Sequence, residues 1–245
     1  MKIALIGKGR VATHMSRALL KAGHDVTMCG GKSRTCPVPS DVEVVIISVK
    51  DDAVSFVASE FADSSSLVLH TSGSISIEAI PATRRGVIYP MQTFSMDREV
   101  DFRQVPLFLE TSLPEDMSML SQLASTISDI HMPMKGEQRK ILHLAAVFSC
   151  NFVNHLFEIS HDVLAEHSIP FRILFPLIQE TVSKIQTLTP HEAQTGPALR
   201  WDETVMQGHI EKLGDSKRRL IYQMLSESIH ATHHKEETLQ HHSHS

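Results

Sequence analysis

Polar side chains that could carry chemistry recur along one face of a long helical pattern in the middle of the sequence. The pattern covers residues 137–167 and would span roughly 45 Å at about 1.5 Å per residue. At 100° per residue, one arc of roughly 80° collects Lys140, His143, Asn151, Asn154, Glu158 and His161. Histidine and asparagine, in the middle of the arc, can hydrogen-bond a substrate without burying a fixed charge. The alternative is an ordinary solvated face of an amphipathic helix.

A second chemical feature lies at the start of the chain. An apolar run over residues 2–6 is followed by the spacing G-x-G-x-x-A, with its small residues at Gly7, Gly9 and Ala12. Between a strand and a helix this spacing is typical of a dinucleotide-binding turn, because bare backbone lets a pyrophosphate reach the helix N-terminus. Arg10 and Val11 would begin that helix and would therefore also lie beside the pyrophosphate. The alternative is a strand–turn–helix corner with chance glycines.

The end of the second predicted strand, residues 25–28, bears on the choice of cofactor. An acidic residue there would bind the ribose 2′-hydroxyl of NAD, whereas a 2′-phosphate favours basic and small polar residues. This chain has no carboxylate at that point and continues instead with Lys32, Ser33 and Arg34. The sequence therefore predicts NADP, and a solvated basic loop is the alternative.

The elements that must position these groups alternate between strand and helix patterns. Strands are predicted near residues 2–6, 25–28, 42–49, 67–70, 86–89, 106–110 and 130–134. This alternation predicts an α/β fold with a doubly wound, mostly parallel Rossmann sheet, in which ligands bind at the carboxyl ends of the strands. We therefore expect cofactor contacts at Val49 and Lys50, and substrate contacts at Ser72, Gly73 and Ser74.

The pattern changes after the last predicted strand, because only helical periodicity follows. We predict an NADP-binding domain over residues 1–134 and an all-helical C-terminal domain over residues 135–230, whose polar helix face could bind the substrate. Residues 231–245 are polar and rich in histidine, so we expect a disordered tail. A metal-binding role for these histidines is the less favoured alternative, and we predict no metal site.

Composition narrows the functional classes. Of the 245 residues, 42% are hydrophobic and 21% charged, with a formal net charge of −5. This composition is typical of a globular protein and gives no electrostatic reason to expect nucleic acid or an anionic membrane as a partner. Three scattered cysteines and a short apolar start favour a reducing compartment without a signal peptide or membrane span, so we expect a cytoplasmic protein.

Four segments occur in an order that resembles a known family. They are residues 70–74 (HTSGS), 89–94 (YPMQTF), 143–155 (HLAAVFSCNFVNH) and 195–202 (TGPALRWD). The chain resembles oxidoreductases that join an NADP-type Rossmann domain to a helical C-terminal domain of unknown function, within the 6-phosphogluconate dehydrogenase-like superfamily. The resemblance covers about residues 1–230.

The resemblance implies a two-domain NADPH-dependent enzyme that forms a homodimer through its helical domain. Some relatives resemble an alternative ketopantoate reductase, which suggests ketopantoate as a substrate. The sequence departs from the family at Tyr89, because the family and the related prephenate dehydrogenases commonly have histidine there. Related dehydrogenases also carry a lysine and an asparagine on the helix that corresponds to residues 137–167.

Our mechanistic hypothesis is reduction of a small keto acid. His143 would donate the proton, and Asn151 and Asn154 would orient the carbonyl group. The resemblance makes Lys140 a second candidate for the acid. Arg200, after a Gly-Pro turn, would bind a substrate carboxylate through its planar guanidinium group.

Each assignment has an alternative. His143 could be a structural histidine, Arg200 could pair with Asp202, and the serines of the loop could only cap a helix. Two other reactions fit the same predicted residues: imine reduction, as in pyrroline carboxylate reductases, and oxidation of a prephenate-like acid. A sensor that binds NADP without turnover is the rival from another functional class.

Overall fold

The computed structural model describes residues 1–30 and 38–240. Its strands are β1 (Lys2–Ile6), β2 (Asp25–Cys29), β3 (Val44–Ile47), β4 (Leu67–His70), β5 (Arg85–Pro90), β6 (Leu107–Thr111) and β7 (His131–Pro133). Its helices are α1 (Arg10–Lys21), α2 (Val54–Ala58), α3 (Asp116–Ile127), α4 (Gly136–Ala146), α5 (Val153–Ala165), α6 (Phe175–Lys184), α7 (Pro197–Arg200), α8 (Glu203–Lys212) and α9 (Ser216–Gln240). A π-helical segment, Val147–Phe152, follows α4 in the chain.

The seven strands form one sheet in the order β2-β1-β3-β4-β5-β6-β7. All neighbouring pairs are parallel except β5 and β6, which are antiparallel. The predicted α/β fold with a mostly parallel Rossmann sheet and a helical C-terminal region is therefore confirmed. The strand order reverses direction between β1 and β3, which is where a doubly wound sheet opens a crevice for ligands.

Both faces of the sheet are covered, as the apolar strands predict. In β3, Val44 and Ile46 belong to the cluster with α1 and α3, whereas Val45 and Ile47 belong to the opposite cluster. All four side chains are fully buried. Because successive strand residues point to opposite faces, only a strand buried on both sides tolerates such a continuous run of Val and Ile.

The chain divides into two compact units, residues 1–151 and residues from Phe152 on. The first unit includes α4, which the sequence assigns to the helical domain beginning at residue 135. The reason lies in Arg139 of α4, whose side chain is fully buried and pairs with Glu110 of β6. A buried charge with its partner on the sheet ties the first turns of this helix to the Rossmann unit.

The second unit is helical in its described part. Arg218 of α9 bonds Asp162 of α5 at 2.7 Å and Glu166, the residue after α5, at 2.9 Å. His230 of α9 packs on Trp201 with ring centroids 4.5 Å apart. Helix α9 continues to Gln240, whereas the sequence predicts a disordered tail from residue 231. His233 stacks on the ring of His191, 3.9 Å away, so histidines of the predicted tail take part in packing.

No helix in the described ranges is long and apolar enough to cross a membrane.

Candidate functional site

The glycine turn after β1 lies at the carboxyl edge of the sheet, beside the reversal of strand order. Gly7 has φ +142°, and a Cβ there would collide with the carbonyl oxygen of Ser48, the residue after β3. The Gly7 amide donates to the Cys29 carbonyl at 2.6 Å, and the Ser48 amide donates to the Ile6 carbonyl at 2.8 Å. The turn is thus held close to both neighbouring strands, and glycine is required at its first position.

Gly9 forms the N-cap of α1, and a Cβ built on it would meet no heavy atom within 4 Å. Among the described residues, the Cα of Gly9 is therefore not covered by a neighbouring group on its side-chain side. Arg10 is exposed and Val11 is half-buried. Bare backbone amides at an open helix N-terminus suit a phosphate group, so the residues present fit the pyrophosphate of a dinucleotide.

The other predicted cofactor residues lie at neighbouring strand ends. Val49 is half-buried and Lys50 exposed, immediately after β3. Lys32, Ser33 and Arg34, the predicted contacts to the 2′-phosphate, fall outside the described residues.

The loop after β4 is closed by its own hydroxyl groups. The Ser72 hydroxyl accepts from the amides of Ser74 and Ile75, both at 3.2 Å, and lies 3.2 Å from the Ser74 hydroxyl. The Ser74 hydroxyl donates to a carboxylate oxygen of Asp51, which begins the 3-10 turn after β3. These bonds fix a compact serine loop at the carboxyl edge of the sheet.

Tyr89 and His143 pack against this loop at Gly73. The Tyr89 hydroxyl lies 3.0 Å from Nδ1 of His143, and the two rings meet edge to face. A Cβ on Gly73 would lie 2.7 Å from Cζ of Tyr89 and 2.9 Å from Nδ1 of His143. Both are closer than real Cβ contacts allow, so the absence of a side chain at Gly73 is what admits the Tyr89–His143 pair.

His70, at the end of β4, is a second imidazole near the loop but has a structural role. It is fully buried, and its Nδ1 accepts the amide of Ser72 at 3.2 Å. Burial first, and the charge of Arg139 second, lower the pKa of His70 to about 4. The ring is therefore neutral near pH 7 and supports the start of the serine loop rather than supplying a proton.

Arg139 connects α4 to the same loop from the other side. Its guanidinium donates to Glu110 and also to the carbonyl of Ile75, at 2.7 Å. Glu110 in turn accepts the amide of Gly136 at 3.1 Å, at the first residue of α4. One buried ion pair therefore joins strand β6, the start of α4 and the end of the serine loop.

The structure brings together some predicted site residues and leaves others apart. Ser72, Gly73 and Ser74 form one loop, and His143 packs on it through Nδ1. Lys140 is exposed and paired with Glu137 at 2.8 Å, which is an ordinary surface ion pair. The described contacts thus place His143 against the serine loop and Lys140 in a surface ion pair.

Asn151 and Asn154 are exposed, and a regular α-helix does not connect them to His143. The π-helical segment at residues 147–152 advances by a different angle per residue, so the predicted arc at 100° per residue is wrong beyond residue 146. Asn151 lies in this segment, and Asn154 lies after it in the second unit.

Arg200, the last residue of α7, is exposed and forms no ion pair with any residue that the structure describes. Its expected alternative partner, Asp202, instead caps α8 by accepting the amide of Val205 at 3.2 Å. The guanidinium is therefore not held by Asp202.

Three contributors to the site were absent from the predicted set: Tyr89, Asp51 and Arg139. The departure of Tyr89 from the family pattern was a visible signal, whereas nothing local marks Asp51 or Arg139. Within the described ranges, no group of three or more His, Cys, Asp or Glu side chains is arranged to hold a metal ion.

Comparison with known proteins adds a family and a close structural relative. The model of the domain of unknown function DUF2520 matches residues 105–229, just over half of the chain. A crystal structure from Bacteroides fragilis, described provisionally as an NADP oxidoreductase, is 38% identical with a TM-score of 0.86. The match covers 94% of this chain and 97% of that one. Among curated proteins, none matches this sequence.

More distant structures share the fold. Protein TM1727 from Thermotoga maritima is 19% identical with a TM-score of 0.68, covering 96% of this chain and 99% of that one. An imine reductase from Myxococcus stipitatus, in complex with NADP⁺, is 13% identical with a TM-score of 0.64. That match covers 98% of this chain and 95% of that one. At these identities, the likeness concerns architecture alone.

The buried His70 predicts a pH dependence of stability. Its pKa of about 4 in the folded chain lies below the ordinary value of 6.5, so the unfolded chain binds more protons between these values. We expect the free energy of unfolding to fall by up to about 3 kcal/mol from this group as the pH drops through that window. His70→Asn, whose amide oxygen can accept the Ser72 amide, removes this part of the pH dependence in urea titrations. The exposed His155→Gln should not, and equal slopes for H70N and wild type would contradict the prediction.

Proposed function

We propose a function from one premise: the chain belongs to the family defined by the domain of unknown function DUF2520. The proposed function is NADPH-dependent reduction of a small keto acid. One observation carries it: an open glycine turn after β1 and an imidazole packed on the serine loop after β4 lie at the same carboxyl edge of a parallel sheet. A hydride-transfer enzyme needs both a dinucleotide site and a proton donor at this edge.

The cofactor site in this proposal uses the glycine turn. The backbone at Gly7 and Gly9, with Arg10 and Val11, would hold the pyrophosphate, and Val49 and Lys50 would lie beside the cofactor at the next strand end. Lys32, Ser33 and Arg34 would bind the 2′-phosphate. When bound, reduced nicotinamide supplies a hydride. Support comes from the Bacteroides fragilis relative, whose description names NADP.

The substrate site in this proposal uses the serine loop and α4. Ser72, Gly73 and Ser74 would contact the keto acid, with ketopantoate as the first candidate. His143 would supply the proton that the reduced oxygen needs, and Lys140 remains the second candidate for this role. We retain Asn151 and Asn154 as groups that orient the carbonyl, and Arg200 as the partner of the substrate carboxylate.

Imine reduction is the second candidate, and Asp51 favours it. Its carboxylate bonds Ser74 at the serine loop, so a negative charge lies beside the proposed substrate. A protonated imine is a cation and gains from that charge, whereas a keto acid carries a carboxylate that does not. The described fold is also shared with enzymes named as imine reductases and pyrroline carboxylate reductase.

We also propose that the protein forms a homodimer through its helical unit. Helix α6 exposes Phe175, Leu177 and Val182 at 51%, 64% and 53% of their full surface. Monomeric proteins seldom leave several large apolar side chains of one helix in water, because burying each one gains about 1.5–3 kcal/mol. The resemblance implies a dimer formed by this same domain, so a second copy of the chain is the occupant we propose.

The cofactor proposal predicts different effects for two substitutions. Gly9→Ala places a methyl group where the pyrophosphate would lie, so it should weaken the binding of NADPH and of NADH alike, each by roughly tenfold. Arg34→Ala removes a contact that only NADPH can make, so it should weaken NADPH binding roughly tenfold and leave NADH binding unchanged. Fluorescence titration measures the Kd values for NADPH and NADH. Gly208→Ala is the control, because a Cβ on Gly208 would likewise meet no heavy atom within 4 Å. Equal losses for both cofactors in R34A would exclude a 2′-phosphate contact at Arg34.

The catalytic proposal predicts turnover that depends on His143. NADPH oxidation should occur with at least one member of a panel of 2-keto acids, ketopantoate included, and cyclic imines. His143→Gln should lower kcat about a hundredfold while the Kd for NADPH stays within about twofold, because only the proton donor is lost. His155→Gln, on an exposed histidine paired with Glu158, is the control. Binding of NADPH without turnover on every substrate would instead support the sensor.

The dimer proposal predicts a change of mass in light scattering coupled to size exclusion. Wild type should elute as a dimer, and the double variant Phe175→Asp, Leu177→Lys should elute as a monomer, because charges on α6 would be buried without partners. Ser183→Lys, an exposed polar position of the same helix, should remain dimeric. A monomeric wild type at micromolar concentration would refute this proposal.

A further inference from the structure

The burial of Tyr89 determines the protonation state of its hydroxyl, which is the group that contacts His143. Tyr89 retains only 9% of its exposed surface, and its ring packs among Val87 and Phe108. Burial raises the pKa of the Tyr89 hydroxyl, and the charge of Arg139 opposes this shift more weakly. The phenol therefore keeps its proton across the range in which imidazole titrates.

A protonated phenol restricts the neutral form of the imidazole. The Tyr89 hydroxyl lies 3.0 Å from Nδ1. A phenol O–H is a stronger donor than a neutral imidazole N–H, and an imidazole nitrogen is a stronger acceptor than a phenol oxygen, so we expect Tyr89 to donate to Nδ1 of the neutral ring and the ring proton to be on Nε2. When the ring is an imidazolium, Nδ1–H donates to the phenol oxygen instead. In both states Nδ1 is engaged by Tyr89, so Nε2 is the nitrogen left for exchange with another molecule.

We infer that Tyr89 is a positioning residue for the reaction, which holds the His143 ring so that the transferred proton leaves from Nε2. This inference rests on the proposed function. The imidazolium N–H bond at Nε2 breaks, and its proton forms an O–H bond at the carbonyl oxygen of the substrate as the cofactor hydride reaches the carbon. The ring is then left with its remaining proton on Nδ1, bonded to the Tyr89 oxygen, and a proton from water returns to Nε2 and restores the imidazolium. A resting neutral ring instead accepts from Tyr89 and carries its proton on Nε2.

The charged groups around the pair are accounted for by other partners. Arg139, on the same helix as His143, is paired with Glu110 and donates to Ile75. His70, on β4, is neutral near pH 7. Tyr89 is therefore the group whose bond to His143 can be removed without breaking an ion pair.

The chain contains a matched control for this contact. It has two tyrosines, and the second, Tyr222, lies 2.8 Å from Nδ1 of His209 in the helical unit. The two pairs share the same chemical contact and edge-to-face ring geometry. Tyr89→Phe and Tyr222→Phe thus remove the same bond at two sites, one of which the inference concerns.

Nuclear magnetic resonance of protein labelled with ¹⁵N-histidine tests the inference without turnover. Long-range ¹H–¹⁵N correlations report which ring nitrogen is protonated, and His143→Gln identifies the His143 signals by their loss. We expect neutral His143 to carry its proton on Nε2 in wild type and in Y222F, and to show a mixture of tautomers in Y89F. Neutral wild-type His143 protonated at Nδ1, or a tautomer unchanged by Y89F, would overturn the inference.

The pH profile of turnover gives a second measurement. The hydrogen bond from the imidazolium to Tyr89 is charge-assisted and stabilises the protonated ring more than the neutral one. Its loss in Y89F should move the alkaline limb of kcat to lower pH and reduce kcat roughly tenfold, with NADPH binding unchanged. Y222F should show the wild-type profile, and a profile unchanged in Y89F would count against the positioning role. If no substrate turns over while the tautomer behaves as expected, the proposed reaction fails and the ring contact stands.

Discussion

The buried ion pair between Arg139 and Glu110 is the constraint on which the described site depends. Arg139 is fully buried, so its charge must be neutralised by Glu110 and its remaining donors satisfied by groups such as the Ile75 carbonyl. These bonds fix the start of α4 against β6 and against the end of the serine loop. His143 lies four residues after Arg139, on the same face of the helix, and is thereby directed towards the loop. Losing one partner would leave a buried charge, at a cost of about 3–5 kcal/mol.

Two glycines allow the close approaches that this arrangement needs. Gly7 adopts a backbone angle that side chains disfavour and passes against the carbonyl of Ser48, which brings the first turn against the end of β3. Gly73 leaves room for Tyr89 and His143 to meet over the loop after β4. Both lie at the carboxyl edge of the sheet, where the missing side chains let neighbouring elements pack against the backbone.

Much of the fold followed from local patterns, because buried parallel strands leave a strong signal. The run that became β3 and the exact span of β4 were visible as apolar and β-branched residues, and the glycine spacing marked the turn after β1. The antiparallel pairing of β5 and β6 was not visible, since strand direction depends on partners far along the chain. The π-helical segment was also missed, because an arc drawn at 100° per residue assumes unbroken α-helical geometry.

Local patterns also indicated some residues of the candidate site but not the residues that contact them over a long sequence separation. The serine loop and His143 could be named from the sequence, because each belongs to a short distinctive segment. Tyr89 contacts His143 across 54 positions of sequence, and Arg139 reaches Glu110 across 29. Such contacts follow from sheet order and helix placement, which local periodicity does not encode. The structure was therefore needed to identify the residues that contact His143 and Glu110 from distant positions in the sequence.

The distribution of charge within the Rossmann unit leaves His143 outside the ion pair that holds α4 to the sheet. Arg139 and Glu110 neutralise each other, the Asp51 carboxylate accepts the Ser74 hydroxyl, and burial keeps His70 neutral. These groups are committed to holding the loop and the helix in place. His143 packs on the loop at Gly73 and bonds the neutral hydroxyl of Tyr89, so its protonation changes that hydrogen bond and leaves the ion pair unbroken. The general acid catalysis that we propose for His143 requires such an arrangement, in which the ring gains and loses a proton while the surrounding residues stay fixed.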